Sequence, residues 1–316
     1  MQTLSSVIKN IFFHNFFKVV SILFFLFATS FAFAQNDDDG DKPVTNRNVK
    51  GFHAGVYLGS FFANKSTTGL YDGYGYDTSG LKNEFSKSFM YNSIVIYYGG
   101  GNGQTDQIAQ ALNVNHGDWN FDQTDMPVNL KYNPSVAIGL HALYCFDKKN
   151  ALLLNATGTK LTLNGNFTIT LNTPPIGPQQ PNYENIKTFS ITGAEKRAMF
   201  QLGYQRIFGE NAFSFFAEGG AIVTMAKFVK NQIAINNLVI DFSNFYNQPY
   251  YATYRAKYLS GIGVGAFAGF GFNYLASLRY RLQLIYNPSY EKVSIGPNPR
   301  YKIQNAVGLR VYYQLK

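Results

Sequence analysis

The chain has 316 residues, with 27 basic and 18 acidic side chains, a formal net charge of +9 and a mean hydropathy of −0.13. Only 14% of the residues are charged and 17% are aromatic, whereas about 25% of the residues of an ordinary soluble protein are charged. This composition argues against a simple soluble domain, and the basic residues lack the clustering that nucleic-acid binding requires, so no nucleic acid is expected as a partner. It favours a transmembrane β-barrel, whose strands expose apolar side chains on one face only.

The first predicted element is a targeting segment. Two lysines precede the apolar run 19–33, and Ala32 and Ala34 form a small-residue cleavage site. The run is shorter than the roughly 20 residues that a membrane-spanning helix needs. Residues 1–34 are therefore predicted to be a signal peptide cleaved after Ala34, with an uncleaved anchor as the alternative.

An acidic linker follows at 35–49 and contains four aspartates together with glycine and proline. Such a composition is typical of a solvated tail, here expected in the periplasm. The segment lacks the ligands of a calcium loop, because Gln35 and Asn46 occupy the first and last ligand positions. Further along, Cys145 is the only cysteine and excludes an intrachain disulfide.

From residue 50 onward, apolar and small or polar residues alternate with a period of two, which indicates strands. The predicted strands are eight runs: 50–64, 134–146, 151–171, 186–208, 212–230, 250–272, 276–290 and 300–316. In the third run the apolar parity changes from Leu152 and Leu154 to Leu161 and Leu163, which predicts a β-bulge near Gly158.

The connections between these runs alternate in length. Those after the second, fourth and sixth runs are short, whereas the others are long and span 64–133, 172–185, 231–249 and 288–299. Short turns at one rim and long loops at the other are typical of a bacterial outer-membrane barrel. The predicted fold is therefore all-β: a transmembrane up-and-down antiparallel β-barrel of eight strands over 50–316, with long extracellular loops.

The first long loop, 64–133, is expected to contain structure of its own and to fold over or beside the barrel mouth. Its sequence "NSIVIYY" at 92–98 predicts a short strand, and "TDQIAQALN" at 105–113 predicts a short helix.

Aromatic residues fall near the two ends of the predicted strands, as the aromatic girdles of a membrane barrel do. The group expected at the short-turn rim is Tyr144, Phe146, Phe208, Phe213, Phe272, Tyr274, Tyr280 and Tyr313. The group expected at the long-loop rim is Tyr132, Tyr258, Tyr286 and Tyr290.

Four charged residues have the parity of the barrel interior and are expected at comparable depth: Glu218, Arg279, Arg281 and Arg310. Unpaired charges in a narrow interior are costly, so these side chains should pair with each other, with Arg310 directed toward Glu218. The cluster is interpreted as a structural salt-bridge plug, because eight strands leave an interior just wide enough for side chains. A gate for ions is the alternative.

No other motif predicts chemistry. "GIGVGA" at 261–266 matches a dinucleotide-binding pattern, but no helix follows it, and its glycines are expected to face a narrow lumen. His53 and His141 have interior parity and His116 lies in the first loop, without the arrangement of a catalytic site. No catalytic residue, metal site or cofactor is expected.

The leader, the eight alternating runs and the final "VGLRVYYQLK" resemble the small outer-membrane β-barrel proteins of Gram-negative bacteria, in particular the PorT-like or OmpA-like β-barrel domains of Bacteroidota. The resemblance implies that the last strand is recognised by the outer-membrane assembly machinery, although Leu315 and Lys316 follow the last aromatic residue. The lipid-facing residues of this strand would be Val307, Leu309, Val311, Tyr313 and Leu315.

The expected function is that of a non-enzymatic integral outer-membrane barrel. Its role would be structural, in surface interaction, or as an accessory subunit of an envelope complex such as a secretion machine. Its partners would be outer-membrane lipid, the assembly machinery of which it is a client, and another envelope protein. The alternatives are a narrow channel for small solutes and, less favoured, a lipid A-modifying enzyme.

Overall fold

The computed structural model describes residues 50–77, 79–172, 185–209, 211–243, 259–277 and 279–315. The predicted signal peptide, 1–34, and linker, 35–49, lie outside these residues. The strands are β1 (Gly51–Phe62), β2 (Trp119–Asn120), β3 (Val128–Tyr132), β4 (Ser135–Cys145), β5 (Asn150–Leu171), β6 (Ile186–Phe208), β7 (Phe213–Ile235), β8 (Leu238–Asp241), β9 (Ser260–Leu275), β10 (Tyr280–Tyr286), β11 (Ser289–Lys292) and β12 (Tyr301–Gln314).

Within the described residues, the strands close into an antiparallel ring that confirms the predicted eight-stranded barrel. The ring runs β1, β4, β5, β6, β7, β9, the pair β10 and β11, then β12 and back to β1. β10 and β11 are two pieces of one wall strand, interrupted at Asn287 and Pro288. Closure comes from β12 pairing with β1, for example Leu309 with Leu58, so neither terminal strand leaves a free edge.

The pairing register fixes the tilt of the strands. A row of directly paired residues that starts at Asn150 on β5 passes once around the ring and returns to β5 near Lys160, ten residues further along. Ten residues correspond to about 33 Å along a strand, against about 38 Å for eight strand spacings, so the strands tilt by about 40°. This tilt is that of a membrane-spanning barrel.

The outward face carries an apolar belt. In a strand tilted by about 40°, each residue adds about 2.5 Å of height. The belt from Leu152 to Lys160 therefore rises roughly 20–25 Å, which is the height of the lipid-facing band of such barrels. On β12, Val307 and Leu309 are exposed on this face, and Val311, Tyr313 and Leu315 share it.

Aromatic rings cluster outward near the short-turn rim, where Phe213 stacks on Phe272 and Tyr280 contacts Tyr313. At the other rim, Tyr290 stacks on Tyr301. The prediction for Tyr132 was wrong, because its hydroxyl points inward and donates to Glu195; Tyr258 lies outside the described residues.

The predicted bulge near Gly158 was also wrong. The pairing of β5 with β4 and β6 continues without a register shift through this residue, and odd-numbered residues face inward along the whole strand. Leu152 and Leu154 are exposed outward, whereas Leu161 and Leu163 are fully buried inward. The apolar parity changes because the surroundings change: above the belt the outside is water, and the inside is a protein core.

The register shift lies elsewhere, opposite the step from Ala194 to Glu195 on β6, where Val229 of β7 is the extra residue. After it, odd-numbered residues of β7 face inward and Ile233 and Ile235 are buried. Residues 231–249 were predicted to be a loop, but β7 continues to Ile235 and forms a hairpin with β8.

The first loop is a folded unit. A helix over Phe89–Tyr91 continues as a π-helix over Asn92–Tyr97, so the strand predicted at 92–98 was wrong, while the predicted helix forms as Gln107–Leu112. Asp106 caps the latter helix by accepting from the Ala109 N–H, and Asn113 ends it in the left-handed conformation. No helix among the described residues is long and apolar enough to cross a membrane.

β5, β6 and β7 rise above the belt as a tall wall, and the first loop packs on its inner face. The loop contributes one set of buried apolar residues: Met90, Ile94, Ile108, Leu112, Phe121 and Met126. The wall and the adjoining β8 contribute a second set: Phe167, Ile169, Ile191 and Ile233 from the wall, and Ile240 from β8. This extracellular core explains why the interior of the tall strands is apolar.

The position of the apolar belt predicts how arginine substitutions on the outer face affect stability. Leu202→Arg, near mid-height on the outer face of β6, should lower the free energy of unfolding in lipid vesicles by about 2–4 kcal/mol. Thr162→Arg, exposed on the same outer face but above the belt, should change it by less than about 1 kcal/mol. Urea titration followed by tryptophan fluorescence would measure both values, and equal costs would contradict the assigned belt.

Candidate functional site

The centre of the barrel interior is an ion pair between β7 and β12. Arg310 donates from Nη1 to Glu218 Oε2 at 2.7 Å and from Nη2 to Oε1 at 2.8 Å. Both side chains are almost fully buried, at 1% and 0% exposure. Space for them comes from Gly269 on β9, where a Cβ atom would lie 2.8 Å from Glu218 Cγ. The two-fold contact fixes both side chains across the lumen.

Side-chain amides extend this pair across the lumen. Gln205 donates to Glu218 at 3.0 Å and exchanges hydrogen bonds with Gln283 at 3.1 and 3.3 Å. Gln283 donates in turn to Asn273, and Asn273 donates to Ser214. The polar residues form a cross-linked layer and not a row lining an open pore.

The other two predicted members of the cluster lie lower. Arg281 is buried at the base of the interior, where its guanidinium contacts the Cys145 thiol. Arg279 is half-buried in the turn before β10, and its carbonyl accepts from the Gln314 N–H. Of the four, Glu218 and Arg310 form the ion pair at the centre of the barrel.

An aromatic layer lies directly above the ion pair. Tyr57 stacks on His141 with a centroid distance of 5.4 Å. Cβ atoms added at Gly59 or Gly308 would overlap the Tyr57 ring, so these glycines make room for it. Above this layer a cavity of about 30 Å³ is lined in part by Phe61, Gln201 and Tyr57, enough for about one water molecule.

A second charged cluster, here called the upper cluster, lies near the long-loop end of the barrel. Its centre is Glu195, which pairs with Arg197 at 2.6 Å; both are fully buried. Arg197 also donates to Gln304 and Thr67. Glu291, likewise buried, accepts from Thr224 and Ser289.

The upper cluster binds the first loop to the barrel. Tyr71 and Tyr132 both donate to Glu195 Oε2, at 3.2 and 2.8 Å, and Thr67 hydrogen-bonds Tyr132 at 2.7 Å. Burial and the neighbouring Glu195 carboxylate hold the pKa of Tyr71 well above its usual value. The Tyr71 hydroxyl therefore stays protonated and remains a donor.

The upper cluster was not predicted from the sequence. Glu195 and Arg197 share the interior parity of Gln201 and Gln205 on the same run, and this parity was the available signal. Their partners Tyr71 and Thr67 come from a loop without periodicity, so the pairing itself was not visible in the sequence.

Three histidines lie among the described residues: His53, His116 and His141. His53 and His141 are buried inside the barrel. His116 and Trp119 both contact the Asp106 carboxylate, at 2.8 and 3.0 Å, and that carboxylate also caps a helix. Among the described residues, no group of three or more His, Cys, Asp and Glu side chains is placed to hold a metal ion.

No protein-family model and no curated protein matches the sequence. Among solved structures, the attachment invasion locus protein Ail of Yersinia pestis, crystallised with the heparin analogue sucrose octasulfate, matches with a TM-score of 0.35 and 11% identity, over 84% of this chain and 100% of that one.

The outer membrane protein OprG of Pseudomonas aeruginosa matches with a TM-score of 0.34 and 10% identity, over 84% of this chain and 97% of that one. The outer membrane protease OmpT of Escherichia coli matches with a TM-score of 0.30 and 7% identity, over 87% and 99% of the two chains. These neighbours are outer-membrane β-barrel proteins of Gram-negative bacteria, and at such values the similarity concerns the barrel fold alone.

Proposed function

We propose that this chain is an integral outer-membrane protein whose closed barrel anchors an extracellular recognition domain and catalyses no reaction. The observation that carries the proposal is the filled interior. The Glu218–Arg310 layer, the Tyr57–His141 layer and the upper cluster succeed each other along the barrel axis. The first loop then covers the barrel and is held there by its own apolar core.

The outer surface supports the membrane location. Its apolar belt, strand tilt and aromatic clusters have the dimensions of a lipid-spanning barrel. The predicted leader would export the chain, and the alternating C-terminal strand would make it a client of the outer-membrane assembly machinery. In this placement the short turns face the periplasm and the tall wall faces the outside.

The tall wall favours surface interaction over a purely structural role. β5, β6 and β7 continue well beyond the belt, and the first loop forms a packed unit on them. Anchoring in lipid does not require this extension, whereas a rigid platform for a partner does. The partner is another envelope protein or an extracellular ligand.

A conductance measurement tests the closed barrel. The purified protein in planar lipid bilayers should give no stable single-channel steps, because the Glu218–Arg310 layer, the Tyr57–His141 layer and the upper cluster fill the barrel interior. A general porin in the same bilayer serves as the positive control. Stable steps that disappear in the Glu218→Gln/Arg310→Met variant would instead establish the narrow channel.

Affinity capture tests the partner. A tag inserted at Gly103, an exposed glycine of the first loop, should retrieve a defined envelope protein from detergent-solubilised native membranes after cross-linking. A matched tag in the turn 147–150, at the opposite rim, controls for capture through the barrel. Recovery of the barrel alone with both tags would contradict an accessory role in an envelope complex.

A further inference from the structure

We propose that the cavity above the Tyr57–His141 layer is a binding site for one water molecule, which joins four parts of the barrel ring by hydrogen bonds. The cavity has a volume of about 30 Å³. Its lining reaches from Arg310 of the central ion pair to Ser289, which donates to Glu291 of the upper cluster. The inference rests on the closed interior of the proposed function and assigns a ligand to it.

Four of the residues that line the cavity carry buried polar atoms with no hydrogen-bond partner among the described residues. These atoms are the Tyr57 hydroxyl, both ring nitrogens of His141, Oδ1 of Asn287 and Nε of Arg310. The side chains of Tyr57, His141 and Arg310 are at most 4% exposed. Buried polar groups that lack a partner are rare in folded proteins, because each has lost its hydration without a replacement. Five such atoms around one cavity therefore point to a ligand inside it.

The four side chains come from separate parts of the ring, so a single ligand between them can bridge the lumen. Tyr57 lies on β1, His141 on β4 and Arg310 on β12. Asn287 lies at the interruption between β10 and β11, and its Nδ2 donates to Gln201 at 3.2 Å, which holds the side chain inward. The stacking of Tyr57 on His141 holds both rings beside the cavity.

The kinds of polar atom select water over an ion. Arg310 Nε can only donate a hydrogen bond, whereas Asn287 Oδ1 can only accept one. A halide would accept from Arg310 but repel the Asn287 oxygen, and a metal ion would do the reverse. The Arg310 charge is already neutralised by Glu218, so an added ion would lie uncompensated in the interior. Water both donates and accepts, and a polar cavity of this size holds about one molecule.

The test counts long-lived water molecules on the purified protein in detergent micelles, by relaxation dispersion of the water ²H signal. Ala137 lines the cavity and is fully buried, so Ala137→Val places two further carbon atoms in the space of the water. This variant should hold one long-lived water molecule fewer than the wild type. The matched control is Ala142→Val, the same change on the outward face of the same strand, which should leave the count unchanged.

Tyr57→Phe tests the same site without adding volume. The variant keeps the ring that stacks on His141 but removes one hydrogen-bond partner of the water, so the molecule should exchange about fivefold faster. Tyr204→Phe is the control, because the Tyr204 hydroxyl lies on the outer surface and donates to Asn150. Its exchange rate should remain that of the wild type. An unchanged exchange rate in Tyr57→Phe would contradict the proposal.

A direct measurement places the water in the cavity. With ¹³C-labelled histidine and tyrosine, the wild type should show nuclear Overhauser effects between water and the rings of His141 and Tyr57, with the sign of a bound molecule. The absence of these effects would overturn the proposal. So would equal counts of long-lived water in the wild type and in folded Ala137→Val.

The conductance measurement separates this proposal from the proposed function. Stable single-channel steps of the wild type would contradict the closed barrel. A barrel that gives no steps, but whose Ala137→Val variant keeps the full count of long-lived water, contradicts only the water site.

Discussion

Arg310→Ala is expected to lower the free energy of unfolding by about 3–5 kcal/mol, because it leaves the Glu218 carboxylate buried in the barrel without its cation. Arg310 makes both hydrogen bonds that hold this carboxylate across the lumen, and the remaining donor on it is the Gln205 amide. The loss should be visible as a lower urea midpoint of the refolded barrel in detergent micelles, with an unchanged slope.

Two variants distinguish the stability lost through an unpaired buried charge from the stability lost through reduced side-chain volume. Glu218→Gln/Arg310→Met removes both charges while keeping similar size, and it should cost much less than the single change, because no unpaired charge remains. Arg300→Ala, at an exposed loop position, should be nearly neutral. If Arg310→Ala and the double variant lose the same stability, the ion pair does not carry the expected penalty.

Glu195→Ala should have a similarly large effect, of about 3–5 kcal/mol, but on the first loop as well as on the barrel. The change removes the carboxylate that pairs with the fully buried Arg197 guanidinium. It also removes the acceptor shared by Tyr71 and Tyr132. We expect the segment 64–133 to become sensitive to external protease in intact vesicles, while the membrane-embedded barrel remains protected.

Glu84→Ala is the control for this second change. Glu84 lies in the same loop but is exposed and pairs with Lys87 on the surface at 3.3 Å, a type of pair that contributes about 0–1 kcal/mol. Proteolysis of this variant should follow the wild type. Equal resistance of Glu195→Ala and Glu84→Ala would show that the apolar contacts of the loop with Phe167 and Ile191 are sufficient to hold it.

The barrel itself was predictable from local pattern. A strand in a barrel alternates between two environments, so the period of two is present in the sequence wherever one face contacts lipid. Short and long connections alternate because successive connections of an up-and-down barrel lie at opposite rims. The parity of Glu218 and Arg310 could be read from their apolar neighbours, and their contact follows from the closure of a narrow ring.

Three features were decided by the tertiary structure. The first is the apolar interior of the tall wall, where Leu161 and Leu163 exchange sides relative to Leu152 and Leu154. Alternation shows which residues share a face, but it cannot show that the outside changes from lipid to water at the height of Lys160. The change of parity was therefore misread as a bulge.

The second is the helical fold of 89–97. Its β-branched residues favour a strand locally, but the site available to them is the inner face of the tall wall, where Ile94 is fully buried. Tertiary packing outweighed the local preference. The third is the set of partners around Glu195, where Tyr71 and Thr67 approach from more than a hundred residues away in sequence.

Within the lipid belt, the sequence by itself determined the strands, their inward and outward faces and the closed barrel, because each of these follows from a repeating contrast between lipid and interior. Only the tertiary structure decided where the lipid belt ends, how the first loop covers the barrel and which buried charges meet. These depend on register and on long-range packing, for which neighbouring residues along the chain carry no signal.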